Sequence, residues 1–171
     1  MACEAMNFSL KRLLKQERPP QMHGKGYGMP SSHAQFVTFF SLSLTFFLVF
    51  RHVPKPATAS HTPLTMGSRV ALSVLALFCA GLVAWSRLYL NYHTPKQVLV
   101  GCLAGAICAI GWFLFTTVLR QYGVLGWILD LPVVRLFRMR DLVVGEDLCQ
   151  AGWEKWEEQK NPGNANGKKI R

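Results

Sequence analysis

QVLVGCLAGAICAIGWFLFTTVL, residues 97–119, decides the fold of this chain. It runs for 23 residues without a charged side chain. About 20 apolar residues suffice for a helix to cross the hydrocarbon core of a bilayer. The four residues Thr94-Pro95-Lys96-Gln97 open it as a helix. Thr94 suits the N-cap, Pro95 suits the first helical position, and Gln97 completes a Thr-x-x-Gln capping box.

Two more charge-free stretches precede it, residues 34–50 and 70–86, each of 17 residues. Arg51, Arg69 and Arg87 flank them and can extend their charges to the interface. Three core helices of a soluble protein are the alternative, but soluble helices of this length carry a polar face and these scarcely do. The fold class read from this pattern is all-α: a multi-span helical membrane bundle of about three transmembrane helices.

Working outward, residues 3–17 read as a helix ahead of the bundle. Arg18 ends it, because the residue before Pro19 is pushed out of the α region. On that helix Lys11, Lys15 and Arg18 would share one face. A Gly-rich loop follows, and the first span begins near His33 with Ser32 and Gln35 as a capping box. The second span is expected from about Arg69 to Trp85. Residues 124–137 are apolar but broken by Asp130 and Pro132, which predicts an interfacial segment. Residues 1–137 thus form one membrane domain, and 138–171 a polar tail with a flexible end.

The net charge is +10. Its cations sit at the ends of apolar runs and in the tail, not on an aromatic-interleaved stripe, so no nucleic-acid partner is expected. The five cysteines form no Cys-x2-Cys pair and read as small buried hydrophobes. The opening Met-Ala-Cys-Glu lacks the basic-then-apolar order of a cleavable leader.

Chemistry concentrates in three segments: Lys11 to Arg18-Pro19, Pro30-Ser31-Ser32-His33, and Ser86-Arg87 to His93 and Gln97. The first two precede the first span. Two crossings later the third opens on the same face. Helices one and three both start there, presenting free backbone N–H groups and positive dipole ends that suit an anion. Cations that bind an oxyanion, with one imidazole to attack and another to protonate, make a phosphate-handling set.

Other phosphatase designs do not fit. Between Arg18 and Leu129 there is no Asp or Glu, whereas a two-metal or aspartyl-phosphate enzyme needs carboxylates near its site. No cysteine is followed, after five residues, by Arg. Neither a metal nor another cofactor is expected.

The three segments resemble the type 2 phosphatidic acid phosphatase superfamily, whose pattern is Lys-x6-Arg-Pro, Pro-Ser-Gly-His and Ser-Arg-x5-His-x3-Asp. Lys11, Arg18, Pro19, Pro30, Ser31, His33, Ser86, Arg87 and His93 match it. Ser32 replaces the Gly and Gln97 replaces the Asp. Those replacements, with their flanking residues, resemble the branch that hydrolyses dolichyl diphosphate. The resemblance implies a metal-free reaction on a polyprenyl diphosphate at the lumenal side of the endoplasmic reticulum membrane, yielding dolichyl phosphate for N-glycosylation. It implies His93 as nucleophile and His33 as the acid that protonates the leaving group and then activates water. Lys11, Arg18 and Arg87 would hold the phosphoryl oxygens, with Ser31 and the Ser32 N–H assisting. Gln97 would orient His93, cap the third span, or do both. Members of the family carry further membrane helices before the first segment; only ten residues precede Lys11, so the chain is expected to lack those helices.

Lys168-Lys169 near the C-terminus resembles a dilysine retrieval signal read in the cytosol, which would put the tail there and the site in the lumen. The acid-free loop between Arg51 and Arg69 shares the tail's side, as the positive-inside bias predicts. Asn7-Phe8-Ser9 is a glycosylation sequon whose helical position argues against its use. Two alternatives stand beside this reading: the same chemistry on phosphatidate or a sphingoid phosphate, and a non-catalytic membrane protein.

Overall fold

The computed structural model describes residues 2–17, 27–52, 64–139, 141 and 148–160. Among them the chain is all-helical. Helix α1 is Ala2–Leu14, α2 is Ser32–Phe46, α3 is Met66–Tyr89 and α4 is Pro95–Gln121. Two short helices follow, α5 (Val124–Asp130) and α6 (Pro132–Leu136), and then α7 (Leu148–Lys160). Three segments are long and apolar enough to cross a membrane: Ser32–Arg51, Met66–Tyr89 and Pro95–Gln121. Their outward faces carry Leu75, Phe78, Trp85, Ile107 and Leu114, all exposed on the chain and suited to lipid.

Helices α2 and α4 run parallel. At one end Ser31 N donates to Gln97 O at 3.1 Å; at the other Arg51 Nη2 donates to Phe113 O at 2.7 Å and to Thr116 Oγ1 at 2.6 Å. Small residues let the backbones touch. A Cβ on Gly101 would lie 2.7 Å from Ser31 O, and one on Gly105 would collide with Gln35 O. Gly101 and Gly105 are four apart, so they make one smooth stripe on α4, with Ala104 and Ala109 buried beside them.

Helix α3 runs antiparallel to α2. Ser41 Oγ donates to Ala76 O at 3.1 Å, and Arg69 Nη1 reaches Leu48 O at 3.2 Å and His52 O at 3.1 Å. The last turn of the first span, Phe47–Arg51, is π-helical. There His52 N bonds Phe47 O at 2.8 Å and not Leu48 O, which leaves the Leu48 carbonyl for Arg69.

Several sequence expectations change. Helix α1 ends at Leu14, because Lys15 turns left-handed with φ 45° and closes the last turn on Lys11 O. Lys15 therefore leaves the helical face it was expected to share with Lys11; Arg18 lies outside the described residues. Ser31, not Ser32, is the N-cap of α2, and it makes no side-chain cap bond. Gln35 instead accepts from Asn7 of α1, a buried contact between helices. That contact also buries the sequon asparagine.

Helix α1 is not an outlying element. Its Met6 Sδ lies 3.4 Å from Cys108 Sγ, thirteen residues into α4 and about 20 Å from that helix's start. It reaches well into the depth of the bundle. Helix α3 extends several residues beyond both expected ends. Cys79 is exposed on α3 and Cys102 and Cys108 are half-buried, against the expectation of buried thiols; an outward face in lipid imposes no penalty on a weakly polar thiol. The expected interfacial segment forms α5 and α6, separated at Leu131 as the Asp130 and Pro132 pattern requires. Part of the polar tail is helical as α7, where Trp153 packs on Trp156 with centroids 4.9 Å apart. The end expected to be flexible and Lys168-Lys169 lie outside the described residues.

Candidate active site

The start of α4 sets the site's geometry. Thr94 Oγ1 accepts from Gln97 N at 3.3 Å and Gln97 Oε1 accepts from Thr94 N at 3.2 Å, completing the expected capping box. Gln97 is fully buried and His93 nearly so. The same Oε1 lies 3.2 Å from His93 Nδ1. The amide's orientation is fixed by its neighbours: Nε2 donates to Glu17 O at 2.9 Å, and Oε1 must face the Thr94 N–H. An oxygen can only accept, so the bond to His93 requires Nδ1 to carry a proton; in the neutral ring the lone pair is then on Nε2. Both roles considered for Gln97, helix cap and imidazole partner, are thus present in one amide.

The five-residue gap between Arg87 and His93 has a local cause. Helix α3 ends at Tyr89, and Asn91 takes a left-handed turn with φ 53°. Asparagine tolerates that conformation better than most residues. The chain folds back, so Tyr92 N and His93 N both donate to Arg87 O, at 3.1 and 3.3 Å. The Arg87 guanidinium bonds Ser86 Oγ through Nε and Nη2, each at 3.1 Å, and lies 5.3 Å from the centre of the Tyr92 ring.

The second segment joins from α2. Ser31 is fully buried, its backbone tied to Gln97 O, and its Oγ has no hydrogen-bond partner among the described residues. Ser32 is half-buried and His33 is exposed. Arg87 and Lys11 lie within electrostatic reach of the His33 ring. The three segments therefore meet at one end of the bundle, as parity predicts. Arg18, expected with them, is outside the described residues. No group of three or more His, Cys, Asp or Glu side chains with metal-ligand proximity occurs among the described residues.

A groove of about 970 Å³ opens beside His33. Helices α1, α2 and α4 wall it, with Glu4 and Asn7, then Phe36, Trp112 and Phe115. Phe115 is twenty residues into α4, about 30 Å from its start, so the groove follows most of the membrane depth.

Sequence reading missed three contributors. The Glu17 carbonyl is invisible in sequence, because any residue supplies one. Asn91 was legible as a turn former within the Arg-to-His gap. The Asn7–Gln35 pair was legible only as two polar residues in apolar surroundings.

A family model described as the PAP2 superfamily matches residues 3–121. The chain belongs to the PAP2 superfamily. Within it, the chain is 50% identical to a "Putative dolichyldiphosphatase" of Neurospora crassa, over 94% of this chain and 74% of that protein. It is 42% identical to "Dolichyldiphosphatase 1" of Homo sapiens over 66% of this chain, and 32% identical to "Dolichyldiphosphatase" of Saccharomyces cerevisiae over 81%. The matched regions cover 48% of the human protein and 57% of the yeast one, so the chain spans about half the length of those relatives. No solved structure matches the chain.

Proposed function

We propose that this chain carries the catalytic centre of a polyprenyl diphosphate phosphatase acting on dolichyl diphosphate. The observation that carries the reading is the His93–Gln97 pair, tied through His93 N to Arg87 O, with Arg87 and Lys11 near the His33 ring that lines an apolar groove. His93 Nε2 attacks the terminal phosphorus. The bond from that phosphorus to the bridging oxygen breaks, and its electrons go to dolichyl phosphate as leaving group. His33 donates the proton that neutralises this oxygen. His33 then takes a proton from water, whose oxygen attacks the phosphohistidine. The P–N bond breaks and inorganic phosphate leaves.

Lys11 and Arg87 stabilise the charge that grows on the non-bridging oxygens, with Arg18 in the role the family pattern gives it. Ser31 and the Ser32 N–H donate at the start of α2, where the helix dipole favours an anion. The carboxylate-free stretch between Arg18 and Leu129 supports a route without a metal. The reaction faces the lumen of the endoplasmic reticulum, the tail faces the cytosol, and the product serves protein N-glycosylation.

Purified chain tests this. Phosphate release from dolichyl diphosphate should persist in a chelator and exceed release from phosphatidate. Preference for phosphatidate would reassign the lipid; loss on chelation with rescue by Mg²⁺ would overturn the mechanism.

A further inference from the structure

The Gln97 side chain has two ends with different partners. Its oxygen serves the third segment, through His93 Nδ1 and Thr94 N. Its nitrogen serves the first, donating to Glu17 O at 2.9 Å across 80 positions of sequence. Its backbone oxygen serves the second, accepting from Ser31 N at 3.1 Å. One fully buried residue therefore bonds all three segments. The exit of α1 is held at adjacent carbonyls, since Gly28 N also donates to Gln16 O at 2.7 Å.

From this we infer that Gln97 is a positioning residue that sets where the cationic end of α1 sits relative to His93. The inference rests on the phosphatase reading for what Lys11 and His93 do. An aspartate at this place could accept from the imidazole but could not donate to Glu17 O. Its charge would face that carbonyl oxygen. An amide satisfies both sides without charge or titration, because it offers an acceptor and a donor on one planar head. Substrate binding should therefore depend on the nitrogen end, and nucleophile alignment on the oxygen end.

Gln97→Glu separates the two ends, because it keeps the shape and the acceptor oxygen that faces His93 and Thr94, and puts a carboxylate oxygen where the donor faces Glu17 O. For dolichyl diphosphate, KM should rise about tenfold, the cost of a buried group losing its partner. The value of kcat should stay within about threefold, and labelled phosphate should still be trapped on His93. The KM effect of Gln97→Glu should shrink when Lys11→Ala is already present, since both act on placement of the α1 cation. Gln97→Met removes both ends and should lower the amount of trapped phosphoenzyme as well as raise KM. If Gln97→Glu does not fold but Gln97→Met does, with raised KM, the carboxylate facing Glu17 O is the cause and the contact stands. Normal KM in either folded variant, strict additivity with Lys11→Ala, or failure of both variants to fold would overturn the proposal. Failure of the unsubstituted chain to release phosphate or label His93 would instead remove the phosphatase reading on which it rests.

Discussion

Gln97 Oε1 lies 3.2 Å from His93 Nδ1, and it does so while closing the capping box that starts α4. The helix start and the imidazole orientation are thus one piece of construction. Pro95 fixes where the helix begins, the capping box fixes the Gln97 rotamer, and the rotamer fixes the ring. With Nδ1–H engaged, Nε2 is the nitrogen that the proposed attack on phosphorus would use. The neutral amide holds the ring without offering the countercharge an aspartate would supply.

His93→Ala should abolish trapping of labelled phosphate on the protein. His33→Ala should slow turnover by about 10²–10⁴-fold, the usual contribution of a general acid–base group, most strongly for poor leaving groups. Rapid-quench labelling followed by peptide mapping checks both. Label retained in His93→Ala, or a drop of only a few-fold in His33→Ala, would reverse these assignments.

The groove should hold the substrate's hydrocarbon. Trp112→Ala, which enlarges its lining, should raise KM for long-chain polyprenyl diphosphates and leave KM for a short, soluble isoprenyl diphosphate unchanged. Comparing the two substrates with one enzyme preparation isolates the effect. An equal change for both would show that Trp112 acts on the site itself.

Gly105→Ala should destabilise the bundle, because the added Cβ meets Gln35 O and crowds Phe39 N at 3.1 Å. Overpacking of this kind costs about 1–3 kcal/mol. Gly81→Ala on α3 meets nothing within 4 Å and should be neutral or slightly stabilising. Thermal unfolding in detergent, followed for both variants in parallel, measures the contrast.

Protease added to intact microsomes should remove an epitope placed after Lys160 and spare one inserted between residues 20 and 26. Three crossings by the three apolar helices would put these positions on opposite faces. The reverse pattern would place the site in the cytosol, out of reach of a lumenal diphosphate.

The residues of the candidate site were legible as a group because chemistry and crossing number are both written locally. His33, Arg87, His93 and Lys11 stand beside helix starts and ends, and a count of apolar runs assigns them to one face. The first span's capping was misread because Ser-x-x-Gln is a local pattern. Gln35 had a stronger demand on it: with Asn7 buried beside it, leaving that amide unpaired in an apolar bundle would cost more than forgoing a cap. The end of α1 was misplaced for a related reason. Pro19 forbids a helix beyond Arg18, but nothing local announces that Lys15 will already turn left-handed.

Sequence by itself determined the all-α class, the three spans, the common face of the three segments and the family. Each follows from length, hydropathy and spacing along the chain. Tertiary structure alone decided that α1 enters the bundle to meet Cys108, that Gly101 and Gly105 bring α2 and α4 into backbone contact, and that Gln97 reaches Glu17. These depend on which groups lie adjacent once the helices pack. A backbone carbonyl or a missing Cβ has no mark of its own in sequence; it acquires a role only from the neighbour that folding sets against it.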